Sequence, residues 1–346
     1  MMVSLDSVEL SIENGPTYVW SEPWNHWLES RSPDEAAAWI HSGITVTKSG
    51  DVVVVSHDRA EAHVLGQDGS VLRAFDTGVT QAHGLLTATS DGEEVLWIAD
   101  NGARRERDED GEYANHDGPA PAAAVKMSLS GERLSSLPAP DIEAYRTGRY
   151  RPTGVAVDDA ADGSGDVWVA DGYGESYVHR FRSDGTYLMS LSGTEGAGRF
   201  DCPHAVWIDR RSAEPELYVS DRKNQRLQVF DLKGGFKRAV GDESVFRRPS
   251  AFAVVDQYLV VADLESQLSV LDSQDRLVGH LGTDEAAAAR TGFPNELDHH
   301  QHPRRPAGLR PGLFNSPHGL AADTDGNLYV SEFLIGGRMV KLERHD

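Results

Sequence analysis

Six stretches of the chain follow one template, and this repetition limits the fold more than any other feature. A small or polar residue precedes a short apolar run, a Gly/Asp turn follows, and a second apolar run ends in Ala or Ser plus an acid. The copies are "HSGITVTKSGDVVVVSHD" from His41, "AHGLLTATSDGEEVLWIAD" from Ala82, "PTGVAVDDAADGSGDVWVAD" from Pro152, "PHAVWIDRRSAEPELYVSD" from Pro203, "PSAFAVVDQYLVVAD" from Pro249 and "PHGLAADTDGNLYVSE" from Pro317. Alternating apolar residues between Gly/Asp turns predict antiparallel strands. Further strands follow most copies, as in "AHVLGQDGSVLRAFD" and "YVHRFRSDGTYLMSL". Four short strands in each of six units predict an all-β, six-bladed β-propeller forming one domain over residues 1–346. The last unit lacks a fourth strand, and residues 17–20 ("TYVW") are expected to supply it and close the ring. An open β-solenoid would leave that short last unit unexplained. Residues 32–40, "SPDEAAAWI", carry a helix start outside the blades.

In a propeller the first strand of each unit lines the central channel, and its opening residue lies at one face, the top. The residues at that position are Ser42, His83, Thr153, His204, Ser250 and His318. Histidine falls on alternate blades, so three imidazoles are expected to converge on the axis. Three neutral imidazoles with an open position suit a transition metal, and Zn2+ is the usual occupant. His41 and His57 lie near the same face without a repeat position to assign them. "DHHQHP" (His299, His300, His302) reads as a polar loop, and Cys202 as a small buried side chain. Two insertions, 101–121 and 283–316, are expected to emerge at the top face as a lid or collar.

Composition narrows the partners. A formal charge of −22 repels nucleic acid and anionic lipid, so neither is expected as a partner. A single cysteine permits no intramolecular disulfide. The N-terminus lacks the pattern of a signal peptide, and no apolar run reaches the length of a membrane span. A cytoplasmic protein acting on a small molecule is the resulting expectation, with no indication of oligomeric state.

The units resemble NHL repeats. At "PTGVAVDD…VWVADGYGESYVHRF", "PHAVWI…LYVSDRKNQRLQVF" and "PHGLAADTDGNLYVSE" they resemble the lyase domain of peptide amidation, peptidyl-α-hydroxyglycine α-amidating lyase. The resemblance covers residues 42–342. It implies that His83, His204 and His318 hold zinc, that Tyr173 is the base on a substrate hydroxyl, and that Arg222 lies in the site. It also implies a first-blade arginine, for which Arg59 is the counterpart, and a calcium ion held partly by the backbone of Leu85. Gly319 stands where the family has an aspartate ligand, so Ca2+ is not expected here. Ser316 replaces the family's methionine and Gly174 a disulfide cysteine. The residues themselves suit a metal-dependent lyase that cleaves a carbon–heteroatom bond next to a hydroxyl in a small polar substrate. A metal-dependent hydrolase or lactonase is the second reading, although lactonase propellers use acidic and Asn ligands. A non-catalytic NHL propeller binding a protein partner is the third, and it needs neither the alternating histidines nor the insertions.

Overall fold

The computed structural model describes residues 8–13, 15–25, 36–57 and 59–345. Six antiparallel sheets stand around a central channel, each opening on a strand that lines it. The lining strands are Ile44–Val46, Ala82–Ser90, Gly154–Val157, Pro203–Asp209, Pro249–Val255 and Pro317–Ala322. Blades one to five each run through four strands outward. In blade six, Pro317–Ala322, Leu328–Glu332 and Arg338–His345 are joined by Thr17–Ser21, which pairs antiparallel with Arg338–His345. The N-terminal strand thus closes the ring, and Val8–Ser11 adds a fifth strand outside it.

The blades are held face to face by apolar side chains, because the alternation of each strand buries both faces. A separate buried cluster fills each junction between neighbours. Val53, Val64, Leu96 and Ile98 join blades one and two. Trp24, Val54, Tyr329 and Met339 join blades six and one, so the last junction is packed like the others. The clasp is also ionic. Buried Arg338 pairs with Glu332 at 3.2 Å and Glu22 at 2.5 Å, and lies over the Trp20 ring.

The recurring acid at the end of the second strand has a local task in blades two to six. Asp100 accepts from the backbone N–H of Thr80 and Gln81, Asp263 from Arg247 and Arg248, and Glu332 from Asn315 and Ser316. Each carboxylate therefore fixes the segment leading into its own channel strand, satisfying buried donors that no strand partner reaches. The channel strand then bulges at the next step. Pairing shifts between Ala82 and Gly84, Pro203 and Val206, Pro249 and Ala251, and Pro317 and Gly319. The bulged residue, His in three of these four blades, leaves the ladder and is re-aimed.

Both insertions lie at the face where second strands end. Within 101–121, Ala103–Arg107 and Tyr113–Asp117 form a hairpin. Its Tyr113 ring meets Trp39 at 5.3 Å, and its hydroxyl donates to the Ala37 carbonyl. The 283–316 segment is tied to the turn after Glu332: Asn295 accepts from Ile335 N–H, and Arg305 donates to the Ile335 carbonyl. The helix expected over 32–40 is seen only at Ala36 and Ala37. Residues 32–35 lie outside the described residues, and Trp39 already bridges to Ile335 in extended pairing. No helix among the described residues is long and apolar enough to cross a membrane.

Candidate metal centre and active site

His83, His204 and His318 meet at the top of the channel with ring centroids 4.7, 4.8 and 4.9 Å apart, a near-equilateral triangle. All three are buried, at 1%, 2% and 3% exposure. The hydroxyl-bearing blades between them support this arrangement. His83 Nδ1 donates to the Thr153 carbonyl at 2.7 Å, and His204 Nδ1 to the Ser250 carbonyl at 2.8 Å. Thr153 and Ser250 in turn donate through their hydroxyls to the carbonyls of Pro203 and Pro317, just before the next histidines. An Nδ1–H bound to a carbonyl fixes the tautomer and leaves Nε2 with its lone pair, as metal-binding histidines require. The third sector differs. The Ser42 carbonyl accepts from Ser331 Oγ and also lies near the His318 ring, whose nitrogens make no hydrogen bond of ordinary geometry.

Tyr173 reaches this cluster from blade three. Its hydroxyl lies 3.3 Å from His83 Nε2, 3.2 Å from His204 Nε2 and 3.0 Å from His41 Nε2. Arg222 Nη1 donates to the same oxygen at 3.1 Å. His41 is thus a fourth imidazole at the site, its ring 4.6 Å from those of His83 and His318. Backbone contacts place it: Ile40 N–H bonds the Leu334 carbonyl, and the His41 ring lies against Phe333. The repeat register points to Ser42, one residue on, and gives no reason to select His41.

Burial sets the protonation states. It pushes the His83 imidazole down to about 3 and holds His41, His204 and His318 well below the usual histidine range. All are neutral donors at pH 7, aided by the nearby Arg222 charge. Burial pushes the Tyr173 phenol up to about 12, with Arg222 acting in the opposite direction. Four neutral imidazoles, two of them with tautomers fixed by backbone carbonyls, fit a late first-row divalent ion. His41, His83 and His318 present ligand atoms within 4.8 Å of one another.

Two cavities flank the cluster. Below it the channel encloses about 210 Å³, lined by strand backbone and by Leu85, Val206 and Leu320. Close backbone approach explains the small residues here. A Cβ on Gly84 would meet the Thr153 carbonyl at 2.5 Å, and one on Gly319 would meet Ser331 Oγ at 2.5 Å and Gly43 Cα at 3.0 Å. A side chain at 319 would have to move Ser331 Oγ and would crowd the backbone of blade one. Above the cluster a cavity of about 850 Å³ opens at the top face, lined by His41, Tyr173, Cys202 and Arg222, and by Asn101, Ala103, Arg105 and Asn115 of the 101–121 insertion. The 283–316 segment meets the tip of that insertion, where His302 lies beside Gly111.

Of the residues singled out from sequence, Tyr173, Arg222 and the three histidines come together. Arg59 does not: it is exposed on the loop after the second strand of blade one and does not line the cavity. The arginine brought there from outside the repeats is Arg105. Cys202 is buried as expected, with the Arg222 N–H bonded to its carbonyl. His299 and His300 are exposed in a turn capped by Asp298.

No family model matches the chain. It is 30% identical over 218 residues to the NHL repeat-containing protein 3 of Mus musculus, covering 60% of this chain and 57% of that one. It is 24% identical over 272 residues to a probable peptidyl-α-hydroxyglycine α-amidating lyase of Caenorhabditis elegans, covering 78% of this chain and 66% of that one. The chain therefore spans less than two thirds of the length of these curated relatives. Among solved structures, a streptogramin B lyase superposes with a TM-score of 0.58 at 14% identity, covering 97% of this chain and 98% of the other, a likeness of fold. Fold and sequence likeness together make this chain an NHL-type six-bladed β-propeller related to the amidating lyases.

Proposed function

We propose that the protein is a metal-dependent lyase that cleaves a carbon–heteroatom bond at a carbon bearing a hydroxyl, acting on a small polar substrate. One observation carries this reading: the Tyr173 hydroxyl lies within hydrogen-bonding distance of three imidazole nitrogens and one guanidinium at the floor of an open cavity. His83, His204 and His318 would hold the ion, most simply zinc, with His41 beside them. A divalent cation there would add positive charge next to the Tyr173 oxygen and the substrate hydroxyl and favour their ionised forms. Tyr173 Oη takes the hydroxyl proton, and the freed electron pair forms the carbonyl. The bond to the heteroatom breaks with its electrons on the heteroatom, which receives the proton back from Tyr173. Arg222 holds a carboxylate next to the reacting carbon through paired hydrogen bonds. His41 orients the phenol.

The relatives' lyase names and the shared fold support this reading. The test is to incubate zinc-loaded protein with N-acyl hemiaminals of small oxo acids and follow carbonyl release as a phenylhydrazone. Carbonyl product that depends on the metal and on Tyr173 supports the lyase. Acid release from lactones without any carbonyl product would replace it with the hydrolase reading.

A further inference from the structure

The cavity above the histidines is basic although the chain is acidic. Lys and Arg number 33 against 55 Asp and Glu. Yet Arg105, Arg149, Arg151, Arg222, Lys223 and Arg248 line the cavity, with Asp201 the one carboxylate among its lining residues. Four of the six cations have partners already. Arg149 and Arg151 share Asp117, Lys223 pairs with Asp201, and Arg248 with Glu265. Arg222 and Arg105 have no carboxylate within ion-pairing distance among the described residues.

Arg222 is 7% exposed, and Arg105 is half-buried. The Arg105 guanidinium stacks over Trp39 at 4.4 Å. Both its Nε and the Trp39 indole Nε1 are buried without an acceptor. Orphan buried donors and uncompensated cations are costly, and an incoming oxyanion relieves both. Guanidinium stacked on an indole is also pre-oriented for a planar, two-point acceptor. The hairpin that carries Arg105 follows the second strand of blade two and is anchored by Tyr113 to the segment holding Trp39.

We propose that this cavity takes a substrate with two anionic groups, a hydroxy acid with one carboxylate on Arg222 and a second oxyanion on Arg105. The inference rests on the proposed lyase site for the placement of the first carboxylate, and adds a specificity-determining role for Arg105.

The test is calorimetric binding of two inert probes, lactate and malate, to the zinc-loaded protein at low salt. A second charge-assisted contact makes malate bind about tenfold or more tightly than lactate in the unaltered protein. Arg105→Met removes that preference and leaves lactate binding within about twofold, as expected for loss of a single separate contact. Arg105→Lys, which keeps the charge, retains most of the preference. Arg222→Met weakens both probes. Equal affinity for the two probes in the unaltered protein, or a malate preference that survives Arg105→Met, overturns the proposal. Failure to release carbonyl product from any hemiaminal would remove the lyase reading but leave these binding constants standing.

Discussion

Arg222 is a cation buried among neutral imidazoles with no carboxylate within ion-pairing distance among the described residues, Asp263 acting on it only from further off, so replacing it with an apolar side chain of similar length should stabilise the empty protein. Removing a cation from water costs several kcal/mol even after relaxation. Two features reduce that cost here. The hydrogen bond to Tyr173 is charge-assisted, worth about 1.5–3 kcal/mol. Arg222 also lines an open cavity, where water reaches part of the guanidinium. The remainder, about 1–2 kcal/mol, should appear as added stability in Arg222→Met. Unfolding entropy near 2.1 cal/mol/K per residue over 346 residues converts this to a rise in Tm of about 1–3 °C. The assay is differential scanning calorimetry of metal-stripped protein at pH 7.5 and low salt. Malate should raise the Tm of the unaltered protein by more than that of the variant. A Tm lowered by more than about 2 °C in the variant would show that Arg222 holds the fold together, and the argument that it awaits an anion would fail.

Other outcomes follow from the same geometry. Replacing His83, His204 and His318 together with alanine should abolish stoichiometric zinc by elemental analysis, whereas His41→Ala, which leaves those three imidazoles in place, should retain it. Tyr173→Phe should lower turnover by about 10²–10⁴-fold with metal content unchanged. Arg338→Leu leaves Glu332 buried and unpaired at the ring closure and should cost about 3–5 kcal/mol in urea unfolding. His179 is fully buried between Tyr145 and Ser190, and burial holds it near pKa 3. Below pH 6.5 the unfolded chain takes a proton that the folded one refuses, so stability falls with falling pH. His179→Gln should remove up to about 1.4 kcal/mol per pH unit of that slope between pH 6.5 and 3.

The propeller was legible because its strands repeat in order, and copies two to six each end in an acid with the same backbone-capping task. The missing fourth strand of the last copy exposed the closure, since one unpaired blade edge had to be filled by "TYVW". The three axial histidines were legible for the same reason: a shared position in the repeat is a shared position in space. What escaped was everything without a repeat. Val8–Ser11 joins blade six as an edge strand that no other blade has. His41 lies one residue off the template and reaches the axis through contacts with Leu334 and Phe333, from the far end of the chain. Arg105 sits in an insertion where charged residues follow one another, and only the fold separates it from Arg104 and Arg107. Arg59 had a suitable local neighbourhood, "SHDRAEAH", but the loop turns it toward solvent. The glycine at 319 looked like a lost ligand; the structure gives it a steric reason, because a side chain there would meet Ser331 Oγ and crowd the backbone of blade one.

Closure by Thr17–Ser21 also gives the site a history. A chain emerging from the ribosome makes His83 and His204 early, but His318 only with blade six, and that blade is complete only when the waiting N-terminal strand docks. Two imidazoles on unclosed blades have no fixed separation and grip an ion weakly. On the proposed metal reading, tight capture should therefore mark the moment the ring shuts, so that an unclasped chain stays empty and metal content counts finished molecules.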